Sequence, residues 1–129
     1  MIDLTNKASQ SVIVLHQLIE AVFHGDGSKT AELLTHFADD FVMVTPTGKS
    51  LALADVGDLF NRLTGARQGM MISIEQFNVI SQRGDEVVIQ YHELQQQQNN
   101  HSHRISLAVI DCATQPPSWR YLQETMVTN

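Results

Sequence analysis

Residues 70–98 read MMISIEQFNVISQRGDEVVIQYHELQQQQ. Apolar residues recur here with a period of two, as in strands whose successive side chains point to opposite faces. Gly84 and Asp85 interrupt the alternation and suit a two-residue hairpin loop. The stretch therefore predicts two antiparallel strands, Met70 to Gln82 and Glu86 to Gln98. Asn99 and Asn100 predict a second turn, with Ser102 to Asp111 as the next strand. A proline-bearing loop at Gln115 to Ser118 then leads into a last strand, Trp119 to Val127.

Upstream of this meander the period changes. Val12, Leu15, Leu18, Ile19, Val22 and Phe23 recur every three or four residues and fall on one helical stripe. Gly25, Asp26 and Gly27 end that helix. Ser28 is placed to cap a second, shorter helix that carries Leu33, Leu34 and Phe37 inward. Asp39 and Asp40 break the pattern, and Phe41 to Val44 reads as a short buried strand. Thr45 to Gly48 reads as a turn. Leu53, Val56, Leu59, Phe60 and Leu63 line the inward face of a third helix, which Gly65 ends and Gly57 weakens. Three helices followed by a meander predict an α+β fold. The helices would pack on a strongly curved antiparallel sheet and close it into a cone with an internal cavity.

The chain has 129 residues, 43% of them apolar, enough for one domain spanning residues 1–129. Its net charge is -6, and its eight Lys and Arg residues are scattered. Phosphate backbones and anionic membrane surfaces are bound by clustered cations, so neither nucleic acid nor a membrane is an expected partner. A single cysteine, Cys112, excludes an internal disulfide and a thiolate metal cage. The apolar runs fall short of the roughly 20 residues that a spanning helix needs. Met1 to Asn6 lacks a basic region followed by an apolar core, which points to a cytoplasmic protein.

The turns set an expected register. It places Asn78 across from Tyr91, Gln76 across from Glu93, Glu93 across from Ser106, Gln95 across from Arg104, and Glu124 beside Ser106. One sheet face then carries Ile72, Ile74, Gln76, Asn78 and Ile80, followed by Val87, Ile89, Tyr91 and Glu93. Arg104, Ser106, Ala108 and Ile110 join it, with Leu122, Glu124 and Met126. This face is apolar at one end and polar at the other, as a small-molecule cavity is. The opposite face carries Phe77, Val79, Val88, Leu94, Ile105, Leu107, Val109, Trp119 and Tyr121. That much apolar surface predicts a homodimer through the sheet.

Glu93, Arg104 and Glu124 are the sharpest constellation. Arg104 suits a carboxylate or carbonyl through its planar fork, and a buried glutamate suits a general base, for which Glu93 is the candidate. The same three residues also suit an internal ion-pair network that fixes strand register. Tyr91, Ser106, Asn78 and Gln76 are further candidate ligand contacts. His92, His101 and His103 lie at or near a polar turn without a convergent set of ligands, so no metal is expected. No cofactor is implied either.

Gly25 and Asp26, the run Leu33 to Asp40 with its F-A-D-D ending, and Pro46 to Gly48 are similar to the nuclear transport factor 2-like superfamily. That group includes ketosteroid isomerase, SnoaL-like cyclases and kinase association domains. Arg104 to Ser106, with Trp119 and Gln123, resembles the R-x-[ST] and W-x-x-x-[HQ] strands of the association-domain and SnoaL-like branches. The resemblance covers nearly the whole chain and implies the cone fold. In the isomerase branch it implies a base just before the P-x-G turn, where this chain has Thr45. The oxyanion tyrosine falls near Leu18 and the protonated acid near Ser106, so steroid isomerase chemistry is not expected. What remains is a small-molecule-binding domain of a homodimer. One alternative is a cofactor-independent enzyme moving a proton next to a carbonyl; another is an oligomerisation module.

Overall fold

The structure is a computed structural model that describes residues 3–128. Met1, Ile2 and Asn129, part of the expected 1–129 domain, lie outside the described residues. The elements are α1 (Leu4–Phe23), α2 (Ser28–Leu34), β1 (Phe37–Val44), β2 (Ser50–Ala52), α3 (Leu53–Leu63), β3 (Met71–Arg83), β4 (Glu86–Gln97), β5 (Asn100–Asp111) and β6 (Ser118–Met126). The expected α+β class holds, with three helices against one curved six-stranded sheet.

Strand order is β2-β1-β6-β5-β4-β3, and the expected all-antiparallel sheet is in fact mixed. β6 returns between β5 and β1 and pairs with β1 in parallel. A parallel pair needs a long connection, and everything from β2 to β5 supplies it. β1 also starts earlier than expected, because Asp39 and Asp40 are exposed residues within the strand. Both fall between Phe37 and Val42, where the register with β6 shifts, so the strand runs on past them while its pairing is interrupted.

Helix α1 buries Val12, Leu15, Leu18, Val22 and Phe23 as its spacing predicts, together with two polar residues, Ser11 and His16. Asp3 caps it by accepting from the Thr5 and Asn6 amides. At α2 the cap differs from expectation. Asp26 accepts from the Ser28 amide and hydroxyl, so Asp26 and not Ser28 supplies the acceptor. On α3, Val56 and Phe60 are buried.

A Cβ on Gly57 would sit 3.5 Å from Leu34 Cδ1, an ordinary contact. Gly57→Ala is therefore expected to stabilise the fold by about 0.5–1 kcal/mol through helix propensity. Chemical denaturation would measure it, and a loss of stability would mean that α2 and α3 pack closer than this.

Register explains where the sequence reading slips. The β4–β5 loop is Gln98–Asn99, one residue earlier than expected, so Glu93 faces Arg104 and Tyr91 faces Ser106. Moving a two-residue loop by one shifts the pairing by two, which leaves every side chain on its expected face. β3 is different. Its register shifts twice, between Val79 and Ser81 and between Glu75 and Asn78, and Gln76 has φ +58°. Each bulge bends the strand and breaks its alternation. Gln76, Asn78 and Ile80, expected on the inner face, are all exposed. In β6 a shift at Arg120 pairs Trp119 with Ile110 and Tyr121 with Val109. Trp119, expected outside, is thus fully buried, and its Nε1–H donates to Ser11 Oγ at 2.8 Å. The Ser106–Glu124 pairing is as expected.

Candidate functional site

A cavity of about 380 Å³ opens between the helices and the concave face of the sheet. Leu15, Ile19 and Phe23 of α1, and Val56, Leu59 and Phe60 of α3, make its apolar wall. Its other wall is charged: His16 from α1, Glu93 and Gln95 from β4, Arg104 from β5 and Glu124 from β6. The three strands lie side by side, so alternation alone brings the last four of these to one surface.

His16 and Glu93 are each 4% exposed in their side chains and meet at 3.0 Å. His16 Nδ1 lies 2.8 Å from the Val12 carbonyl, which can only accept, so Nδ1 carries a proton. Nε2 faces Glu93 Oε1. Burial opposes charge on this imidazole, but the charge of Glu93 and its hydrogen bond outweigh burial and raise the His16 pKa above its ordinary value. With Nδ1 already protonated, this shift favours the imidazolium form, in which Nε2 also donates to Glu93. Burial likewise opposes the charge on Glu93, yet His16, Gln95 and Arg104 bring its pKa down to about 2. Gln95 Nε2–H donates to Glu93 Oε2 at 2.6 Å.

Glu93, the base suggested by the sequence, is thus engaged at both oxygens and only weakly basic. Its neighbour has the opposite character. Burial and the negative charge of Glu93 raise the Glu124 pKa, and Arg104 and His16 offset only part of this. Arg104 Nη1–H donates to Glu124 Oε2 at 3.2 Å. Arg104 Nε is buried with no hydrogen-bond partner among the described residues.

Of the sequence candidates, Glu93, Arg104 and Glu124 converge on the cavity. Tyr91 and Ser106 face each other behind the wall, 0% and 1% exposed, and do not line it. Neither hydroxyl has a hydrogen-bond partner among the described residues. Burial, then the charges of Glu93 and Glu124, push the Tyr91 hydroxyl well above its usual range despite the nearby Ser106. Gln76 and Asn78 lie outside, for the reason that the β3 bulges give.

Three cavity-lining polar residues are not among the sequence candidates. Gln95 enters the sequence reading only through its register. His16 occupies the buried stripe of α1, four residues from Val12, and a titratable residue on an apolar stripe was the available signal. Arg67, in the turn after α3, lines the cavity with its guanidinium 4.9 Å from the Phe23 ring centre. Nothing in its local sequence marks it.

Thr45 sits at the cavity edge, its hydroxyl accepting from the Lys49 amide. Leu18 is buried away from the lining. Asp40 pairs with Arg120 on the exposed surface. His92 Nδ1 lies 2.7 Å from His103 Nε2, and no group of three metal-ligating side chains forms among the described residues. No helix among them is long and apolar enough to cross a membrane.

No protein-family model matches the chain, and no curated protein matches it. Solved structures do. An NTF-2-like protein of unknown function from Pseudomonas aeruginosa is 30% identical, with a TM-score of 0.90 over 95% of this chain and 99% of that one. The beta subunit of benzoate 1,2-dioxygenase from Burkholderia mallei matches at 15% identity and TM-score 0.75, over 98% of this chain and 92% of that one. A protein of unknown function with a cystatin-like fold from Nostoc punctiforme matches at 10% and 0.70, over 94% and 92%. The last two establish likeness of fold alone. With the cone, its helical cover and the first of these relatives together, the chain belongs to the nuclear transport factor 2-like superfamily.

Proposed function

We propose that this protein binds a small molecule in its cone. The observation that carries the reading is a charged wall, built from buried side chains of three strands and one helix, facing an apolar wall across 380 Å³. Cavities that hold drug-sized ligands run from about 300 to 1,000 Å³ and combine apolar lining with a few fixed polar groups. Burying four ionisable groups at one place is costly for stability alone. The test is titration with the neutral fluorescent probe N-phenyl-1-naphthylamine. One probe is expected to bind per chain, and Leu59→Trp, which fills the space, to abolish binding with little change in melting temperature. Equal binding by that variant would remove the reading.

The outer sheet face supports a homodimer. Val88, Leu94, Ile105, Leu107, Val109 and Tyr121 are half-buried there in one chain, whereas Phe77 and Val79, expected on this face, lie past the first β3 bulge on the side of Tyr91 and Ile89. Leu107→Glu is expected to yield monomers in sedimentation equilibrium at micromolar concentration, with the melt of the monomer otherwise cooperative. A wild-type protein that is already monomeric would end this part. A cytoplasmic setting fits Cys112, which is a buried free thiol.

A second reading, proton transfer next to a carbonyl, has one observation in its favour. Glu124 lines the cavity with a raised pKa, as a carboxyl that exchanges protons near neutrality must have. In that reading Glu124 takes the role that the sequence suggested for Glu93. Glu124→Gln would then abolish exchange of an α-proton on a bound ketone, read by deuterium incorporation.

A further inference from the structure

Resting on the small-molecule reading above, we propose that the ligand is an apolar monocarboxylate, held by Arg104, and that Glu124 takes up a proton as it binds. The argument begins with charge. The chain as a whole carries -6, yet its cavity has the opposite balance. Three basic side chains line it, His16, Arg67 and Arg104, against two carboxylates, Glu93 and Glu124. His16 is matched by Glu93 and Arg104 by Glu124. Arg67 forms no ion pair among the described residues. A positive cavity in an acidic protein selects an anion, and rejects an amine.

The hydrogen-bonding capacity of Arg104 points the same way. A guanidinium has five N–H donors in a planar fork that matches a carboxylate. Among the described residues a single bond is made, to Glu124 at 3.2 Å. The opposite wall is hydrocarbon, so the rest of the ligand is a ring or short chain. A phosphate monoester, at about -1.5 to -2, would carry more charge than one surplus cation balances.

Proton uptake follows from geometry. A ligand carboxylate beside Arg104 lies against Glu124, and two carboxylates at one guanidinium cannot both stay ionised cheaply. Glu124 is the one that yields. It faces Arg104 on β5, Glu93 and Tyr91 on β4, and His16 on α1, while β1 and α3 present only uncharged side chains to the cavity. Glu93, held by His16 and Gln95, stays ionised. Burial and Glu93 already raise the Glu124 pKa, and the ligand raises it further. Affinity therefore falls as pH rises above the free-state value of Glu124. Loss of the His16 proton at higher pH acts in the same direction.

Calorimetric titration decides the matter with three carbon skeletons, octyl, phenylbutyl and naphthylethyl, each as acid, alcohol and amine. The acids are expected to bind about tenfold or more tightly than the alcohols at pH 6, and the amines least. Titration in buffers of different ionisation enthalpy should show uptake approaching one proton per acid bound, absent in Glu124→Gln. Arg104→Gln should erase the preference for acids, and Arg104→Lys should restore part of it. If Arg104→Gln does not fold, the wild-type series and Glu124→Gln still decide. Alcohols or amines binding as tightly as acids would overturn the carboxylate proposal and leave the small-molecule reading intact. Acid binding without proton uptake would overturn the role of Glu124. If neither these compounds nor N-phenyl-1-naphthylamine binds, the small-molecule reading itself fails.

Discussion

His16→Ala is expected to destabilise the protein by about 3–5 kcal/mol, a fall in melting temperature of roughly 10–20 °C for a chain of this size. The variant leaves the Glu93 carboxylate buried with Gln95 as its remaining partner. Much of the loss is that stranded charge, and the double variant His16→Leu with Glu93→Leu tests this. Replacing both ions by hydrocarbon of similar volume should recover most of the stability, as buried pairs commonly do. A single-variant loss below about 1 kcal/mol would show that the pair is solvated in solution.

The same pair shapes the pH dependence. The folded-state pKa of Glu93 is about 2, below its ordinary 4.5. Between these values the unfolded chain binds more protons. The contribution of Glu93 is therefore complete above about pH 4.5 and lost as pH falls toward 2. His16 has its pKa raised above 6.5, so its contribution is complete below pH 6.5 and lost as pH rises through the folded value. Glu124, a carboxyl with a raised pKa, adds a loss of stability as pH rises above 4.5. Denaturant melts across the pH range would show both limbs, and Glu93→Gln should flatten the acid one.

Trp119→Ala is expected to cost about 3–5 kcal/mol as well, by cavity formation. The indole is 0% exposed, and its ring centre is 6.4 Å from that of His16 and 6.5 Å from that of Tyr91. Trp119→Phe should lose less, chiefly the bond to Ser11 Oγ. This pair of variants separates the two possible placements of the strand. A tryptophan on the outer face would give a small loss of stability and a change of oligomeric state. A large loss with the oligomeric state unchanged puts it under α1.

Much of this architecture was legible in the amino-acid sequence because it depends on periodicity. The stripe of α1, the alternation of β4 and β5, and the turn at Gly84 and Asp85 are local patterns, and the structure keeps them. The faces of Glu93, Arg104 and Glu124 were legible too. Even the misplaced loop at Gln98–Asn99 preserves parity, because its error in register is two. The losses come from odd-numbered irregularities. The first bulge of β3 and the shift at Arg120 invert side-chain direction beyond them, and so Asn78 moved out and Trp119 moved in. Strand bulges answer to the curvature of the sheet over its helices, which no window of sequence contains.

By itself, then, the sequence determined the layers and which face of β4 and β5 turns inward, since hydrophobic period is written residue by residue. The tertiary structure alone decided what the inward charges do. His16 and Glu93 are 77 residues apart, and Arg104 and Glu124 are 20. Which carboxylate is held ionised and which is left to take a proton depends on distances of a few ångströms across that separation, and such distances exist only once the chain has closed on itself.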